Sequence, residues 1–451
     1  MKAARKLQRL QQPRVFLDFV RQFLTPAVWK QARQAVPRRR ALPRWDLQPL
    51  VLVMMAMTWA AGDSQFEKFQ TARGFYAACH IARKRPGKTL EGFQKALSRV
   101  PMRQFRALAA GVRLQIRARF AGRLLVDGFE PFGCDGTRLE APRATELEKR
   151  LAETGKTDSA PTVWVTALVH LGVGVLWAWQ IGPGNAAEQV HLRQVLVTLS
   201  KRALIVCDAA YMGFDLVRQI TQSGRSFLFR MSSRVSLYTL ENVALEDWTD
   251  GPVLYWPKYA QERELAPLLC RLIRVPKKAP RKHDVWLLTD IVDCQRLPAA
   301  TAAKFYRWRW RNEGIFRIYK RMINKVKLTS RSVRLVHREA ELSLLATQLL
   351  LAHADLALRT EKEAQSGEAV ISPRKVLLEI RREMQPAGKR RQACYGQRLR
   401  KCRAETRKQT SAKSTREWPR KKPHKEPRPP ILLTLSEEQK ILLCKHMSVA
   451  A

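Results

Sequence analysis

Apolar residues recur every three to four positions through the first 120 residues. "RVFLDFVRQFL", "TLEGFQKALSRV" and "FRALAAGVRLQIRARF" all carry them at helical spacing. "DLQPLVLVMMAMTWAAG" opens at Asp46, a residue suited to capping a helix, and closes at Gly62. Its apolar run, Leu50 to Ala61, is 12 residues long. A membrane helix needs roughly 20, so this one reads as a buried helix. From about residue 122 the period shortens. "RLLVDGF", "FGCDGT", "TVWVTALVHL" and "GVLWAWQIG" read as short strands parted by Gly, Asp and Pro. A helical "AAEQVHLRQVLVTL" follows, then "ALIVCDAAY", a continuous apolar run of the buried-strand kind. "GFDLVRQITQSG" reads as a helix and "SFLFRMS" as a strand. Between 231 and 295 the pattern is strand-rich, with no convincing helix. Two long helices, about 298–326 and 338–362, come next.

This pattern predicts an α/β chain in five parts. A helical domain covers 1–121. An α/β core occupies 122–230 and resumes at 296–370, parted by a β-rich insertion at 231–295. A C-terminal extension takes up 371–451, ending in "ILLTLSEEQKILLCKHM", read as a short helix.

Composition sharpens the picture. Hydrophobic content of 45% in 451 residues argues against disorder throughout. Lys and Arg number 83 against 39 Asp and Glu, a formal +44. A chain this basic is built to meet a polyanion, with nucleic acid the first choice and an anionic membrane surface the weaker one. The first 50 residues hold 12 basic and 2 acidic residues, which makes the helical domain a DNA-binding candidate, although no helix-turn-helix signature stands out. Residues 381–430 hold 18 basic and 4 acidic residues around "RKKPHKEPRPP", and read as a mobile extension that contacts nucleic acid. The eight cysteines form no CxxC pair with partners at zinc-finger spacing, and read as reduced cytosolic thiols, some of them buried. The N-terminus has no apolar stretch of the signal-peptide kind. A cytoplasmic protein is expected, with no membrane partner.

The candidate chemistry centres on "YRWRWRNEGIFRIYK", Tyr306 to Lys320. On an ideal helix Tyr306, Arg309, Glu313, Arg317 and Lys320 share one arc of about 80°, opposite Trp308, Ile315, Ile318 and Met322. The arc holds one acid among groups that can grip phosphate. Two more acids follow buried apolar runs: Asp135 ends "PFGCD" before an expected turn at "GT", and Asp208 ends "ALIVCD". Acids so placed sit at a sheet edge, where α/β folds put their sites. Each alone also suits a turn or cap, and Asp127 in "LLVDGF" has the same context. Glu313 alone suits an i,i+4 salt bridge with Arg309 or Arg317. His170 and His191 read as core or surface histidines.

Together these residues are more specific. Tyr306, Arg309, Glu313 and Lys320 meet the pattern Y-x2-R-x3-E-x6-K. With "CDGTRLEAPR", "IVCDAAYMGFD" and "LLTDIVD" ahead of it in order, the chain resembles the DDE transposases of bacterial insertion sequences over roughly residues 40–360. Within them it is most similar to insertion-sequence family four, which that Tyr-Arg-Glu-Lys signature defines. The resemblance implies an RNase H-like core interrupted by the β-rich insertion. It implies Asp135, Asp208 and Glu313 as a catalytic triad holding two Mg²⁺ or Mn²⁺ ions, and Tyr306, Arg309 and Lys320 as contacts to DNA-end phosphates. It also puts Trp286 at the place of a base-stacking tryptophan, with Trp248 and Trp256 as weaker candidates; a core position is the plainer reading. The implied partners are double-stranded DNA, both element ends and target, and a second copy of the chain on DNA. The implied activity is metal-dependent strand cleavage and strand transfer. "AAY" after Asp208 departs from the Gly-Tyr of many relatives. The alternatives are an inactive DNA-binding relic or regulator, a non-transposing nuclease of the same fold, and an RNA-binding structural protein supported by charge alone.

Overall fold

The computed structural model describes residues 16–36, 45–80, 86–151, 159–239, 243–277, 283–358, 372–385, 395–403 and 428–450. The chain forms two units. The first comprises Met1–Leu124, Gly136–Ala187 and Asn312–Glu405; the second comprises Leu125–Asp135, Glu188–Arg311 and Thr406–Ala451. In chain order the strands are β1 (Glu130–Glu140), β2 (Thr162–His170), β3 (Val175–Pro183), β4 (Ala203–Cys207), β5 (Ser226–Arg230), β6 (Ser236–Thr239), β7 (Asp250–Tyr255), β8 (Leu268–Val275), β9 (Val285–Thr289) and β10 (Ile431–Thr434).

Helices dominate the first unit. Their starts follow from local chemistry: the Thr25 hydroxyl accepts from Val28 N at 3.4 Å with Pro26 in the first turn, Ser64 and Glu67 cap each other's backbone, and Thr89 accepts from Gly92 N. Asp46 precedes the helix Leu47–Trp59 but makes no capping bond, pairing instead with Arg33 at 3.2 Å. That helix is apolar all round and almost wholly buried, as its sequence requires. It packs on the long helix Val333–Leu358, and Trp59 Nε1 donates to Ala346 O at 3.2 Å. The antiparallel β2–β3 hairpin lies against the same long helix, and Gln348 Nε2 donates to Leu176 O at 2.8 Å.

Two further helices, Pro373–Glu383 and Tyr395–Leu399, belong to this unit, inside the stretch expected to be a basic extension. Val376, Leu377 and Ile380 are buried, and Tyr395 Oη meets His353 Nε2 at 2.7 Å. Apolar residues at i, i+1 and i+4 were enough to seat a helix that its arginines disguised. Residues 386–394 and 404–427 of that expected extension lie outside the described residues.

The second unit is built on a sheet in the order β1-β4-β5-β9-β8-β7-β6-β10. β1, β4 and β5 run parallel; β9, β8, β7 and β6 alternate antiparallel from β5 onward. The strands of 231–295 therefore extend the core sheet edge to edge, joined to it where Leu228 pairs with Thr289. One short helix, Lys258–Glu262, interrupts them. β10 pairs parallel with β6 and covers that edge. The helix that follows docks in the same unit, through Gln439 to Gln261 at 3.0 Å and His446 against Trp256. Among the described residues no helix is long and apolar enough to cross a membrane.

Three local expectations change. "RLLVDGF" is a tight turn rather than a strand: Asp127 and Gly128 have φ of 47° and 80°, and Val126 and Phe129 close an isolated bridge. "DGT" is no turn, because β1 runs straight through it to Glu140. The signature segment is not one regular helix. It comprises Ala299–Trp308, a break at Arg309, Trp310–Arg317, and a π-turn at Ile318–Met322 in which Ile323 N reaches Ile318 O. Arg309 keeps helical backbone angles, φ −50° and ψ −33°, while the π-turn moves Lys320 off an ideal 3.6-residue wheel.

Candidate active site

The second unit brings two of the proposed acids side by side. Along the parallel β1–β4 ladder, Glu130 lies opposite Ala203 and Gly133 opposite Val206. Two more steps in register put Cys134 beside Cys207 and Asp135 beside Asp208. Alternation along a strand sends the two thiols to one face and the two carboxylates to the other. The thiol face is buried, and Cys134 Sγ contacts Tyr211 Oη at 3.5 Å. Burial raises the pKa of the Cys207 thiol and the Tyr211 hydroxyl well above their usual values, so both keep their protons. Asp208 Oδ1 accepts from Ala210 N at 3.0 Å, which fixes the carboxylate as β4 ends. The Asp135 side chain keeps 24% of its surface exposed.

Arg309 answers this pair from the same unit. Its Nη1 lies 4.0 Å from Asp135 Oδ2, and its side chain is 8% exposed. Burial acts to lower the guanidinium pKa, but the neighbouring Tyr306, Asp208 and Asp135 outweigh it and hold the pKa above its ordinary value. Arg309 Nε is buried and has no hydrogen-bond partner among the described residues. Tyr306 is buried too, its ring 5.7 Å from the Arg309 guanidinium. The sequence pattern put Tyr306 and Arg309 on a solvent-facing row; in the fold both are buried, Arg309 against the carboxylates and Tyr306 against Arg309.

Sequence reasoning passed over Trp310. It is 59% exposed, with the Arg309 guanidinium 5.2 Å from its ring. An exposed indole beside charge is a stacking surface for a nucleic-acid base. Trp286, the residue singled out for that role, is buried on β9, with Arg274 5.5 Å over its ring. Trp248 and Trp256 are buried as well, donating to Leu272 O and Leu265 O. Asp127 is engaged by Lys304 and lies before β1, at the opposite end of the strand pair from Asp135 and Asp208. His170 and His191 are buried, and burial lowers the His191 pKa.

The remaining signature residues belong to the first unit. Glu313 is exposed and makes no hydrogen bond or ion pair among the described residues, so the i,i+4 salt bridge to Arg309 or Arg317 is not made. Beside it Asn312 is 1% exposed, and neither of its side-chain polar atoms has a partner among the described residues. A polar residue inside an otherwise charged run gave no sequence signal for this burial. Lys320 sits half-buried in the π-turn, where burial lowers its pKa and Glu140 acts to raise it. Asp135 and Asp208 supply the hard oxygen donors that Mg²⁺ and Mn²⁺ take, and already draw a cation in the form of Arg309. Among the described residues no group of three His, Cys, Asp or Glu side chains is assembled around a metal position.

Residues 134–349 match the family model described as the transposase DDE domain. The match spans just under half of the chain, contains Asp135, Asp208 and Glu313, and supports a DDE transposase. Among solved structures, one similar chain is that of the piggyBac transposase synaptic complex with hairpin DNA, determined by cryo-EM. It has a TM-score of 0.42 and 9% identity, over 83% of this chain and 81% of that one. No curated protein matches.

Proposed function

We propose that the protein is a DDE transposase of the insertion-sequence family four type, cutting and joining DNA at the ends of its mobile element. Its catalytic domain would be an RNase H-like core, and its acids Asp135, Asp208 and Glu313. The observation that carries this reading is that the Arg309 guanidinium is drawn to both Asp135 and Asp208, each just past the paired stretch of β1 and β4. Two acids gathered about one guanidinium on paired buried strands are a poor bargain for stability alone, since like charges repel.

Divalent Mg²⁺ or Mn²⁺, held by these three acids, would supply activation of water or a DNA 3′-OH and stabilisation of the leaving oxygen. The chain's own residues do the rest. Arg309 neutralises the carboxylate pair and orients it. Trp310 offers a face to a base, and Arg309 and Tyr306 stand ready for a phosphate once the acids are engaged elsewhere. Lys320 adds a cation in the π-turn. Synapsis of two element ends would require a second copy of the chain on DNA, acting in the cytoplasm of the host cell.

The test uses the full chain, a duplex carrying an inverted repeat that flanks the reading frame, and Mg²⁺. The unsubstituted protein should bind and nick this fragment. Glu313→Gln keeps the shape and removes the charge; it should bind at least as tightly and not cut. Cleavage by Glu313→Gln at the unsubstituted rate would make Glu313 a bystander and end the triad reading.

A further inference from the structure

The first unit contains a cleft of about 540 Å³ between the Ile318–Met322 turn and the helix Pro373–Glu383. Arg317 and Arg321 stand on one wall and Arg374 and Arg381 on the other, over Leu377 and Leu378. Arg317, Arg321 and Arg374 are exposed and make no hydrogen bond or ion pair among the described residues. Arg381 spends Nε on Trp59 O at 2.9 Å, and burial lowers its pKa with no carboxylate to offset it. The helix does carry acids, but they are committed to its other flank. Glu379 is held by Arg382 at 2.6 Å and by Arg398 at 2.7 Å, and Glu383 by Arg398.

Four guanidiniums around one cleft repel one another, and nothing within the described residues balances them. Their spacing narrows what could. Arg317 and Arg321 are one helical turn apart, and Arg374 and Arg381 two turns apart, about 10.5 Å of helix rise. They cannot all converge on one small anion. They line a path. Leu378, 44% exposed, adds an apolar surface between them, suited to a sugar face.

We propose that this cleft is a docking groove for the sugar-phosphate backbone of DNA, gripped by Arg317, Arg321, Arg374 and Arg381. It rests on the transposase reading and adds to it a contact surface outside the signature acids. It holds DNA by charge rather than by base sequence, through the bidentate phosphate contacts that arginine makes.

The experiment measures binding of a fluorescein-labelled duplex of arbitrary sequence across a range of salt. The proteins are the full chain, Arg321→Gln/Arg374→Gln, and Arg382→Gln as a control from the same helix. The double variant removes one cation from each wall and spares the Arg381 hydrogen bond. Each lost phosphate contact should lower the salt slope by about 0.9, so the double variant should lose about 1.8 and the control close to nothing. A cooperative melting transition in each establishes that both variants fold. An unchanged slope in the double variant, or an equal loss per charge in the control, would overturn the groove. An acidic peptide that competes with the duplex for the unsubstituted chain but leaves the slopes alike would overturn it too. If the unsubstituted chain shows no salt-dependent binding at all, the transposase reading has failed first.

Discussion

Two charged places in this protein are handled in opposite ways. Where β4 ends beside the middle of β1, two carboxylates meet a guanidinium from their own unit, buried and raised in pKa by their company. In the cleft of the first unit, four guanidiniums meet no carboxylate at all among the described residues. The first arrangement is closed: its charge is held in place by the fold and is released only if something competes with Arg309. The second is open: its charge is unpaired among the described residues and costs stability in the free chain. A net charge of +44 does not distinguish them. Only the pairing does.

The largest effect should come from breaking the closed site. Asp208→Asn removes one of two adjacent charges while keeping the Ala210 N contact through the amide oxygen. Nicking of an element-end duplex in Mg²⁺ should fall by more than the roughly 100-fold that loss of an outer-shell partner costs a metal site. Binding of the same duplex should persist, since the open cleft is untouched. Loss of binding and cutting together would mean that the two places are not separate in function.

A smaller effect is expected from taking away the closed site's internal cation. Arg309→Gln leaves Asp135 and Asp208 facing each other, at a cost of roughly 1–3 kcal/mol, toward the lower end because Asp135 is partly exposed. If Arg309 stands where a divalent ion would help, millimolar Mg²⁺ should raise the melting temperature of Arg309→Gln more than that of the unsubstituted chain. Bound ligand at 100 times its Kd adds about 2.7 kcal/mol, well within reach of a thermal shift. Equal shifts in both proteins would mean that Arg309 does not compete with the ion.

How much of this was legible beforehand depended on the kind of signal. Asp135 and Asp208 could be picked out because each ends a run of apolar residues, and strand burial leaves a plain trace in sequence. The wrong turn at "DGT" came from reading Gly as punctuation, whereas β1 continues to Glu140 through Gly136. The signature segment looked like one amphipathic helix because a wheel assumes 3.6 residues per turn. The π-turn around Lys320 violates that assumption with no proline or glycine inside it to announce it. The inward position of Arg309 was hidden for another reason: its partners, Asp135 and Asp208, are far off in sequence and are brought to it by the fold. The helix Pro373–Glu383 was masked by its neighbours, since its three buried apolar residues are outnumbered by flanking basic ones.

The smallest effect tests the open cleft without DNA. Arg321 and Arg374 make no bond that the free protein would miss. Neutralising both as Arg321→Gln/Arg374→Gln should therefore stabilise the free chain, because it relieves repulsion with Arg317 and Arg381 and removes nothing in exchange. Relief of like charge at helical spacing is worth about 0.2–0.5 kcal/mol per pair, so the gain should be under about 1 kcal/mol. It should also depend on salt. The screening length is about 10 Å at 0.1 M and about 3 Å at 1 M, so the gain should be clear in dilute buffer and vanish in concentrated salt. Denaturant midpoints at the two ionic strengths measure this directly. A double variant less stable than the unsubstituted chain in dilute buffer would mean that these arginines are already balanced from within the chain. The cleft would then be as closed as the carboxylate pair.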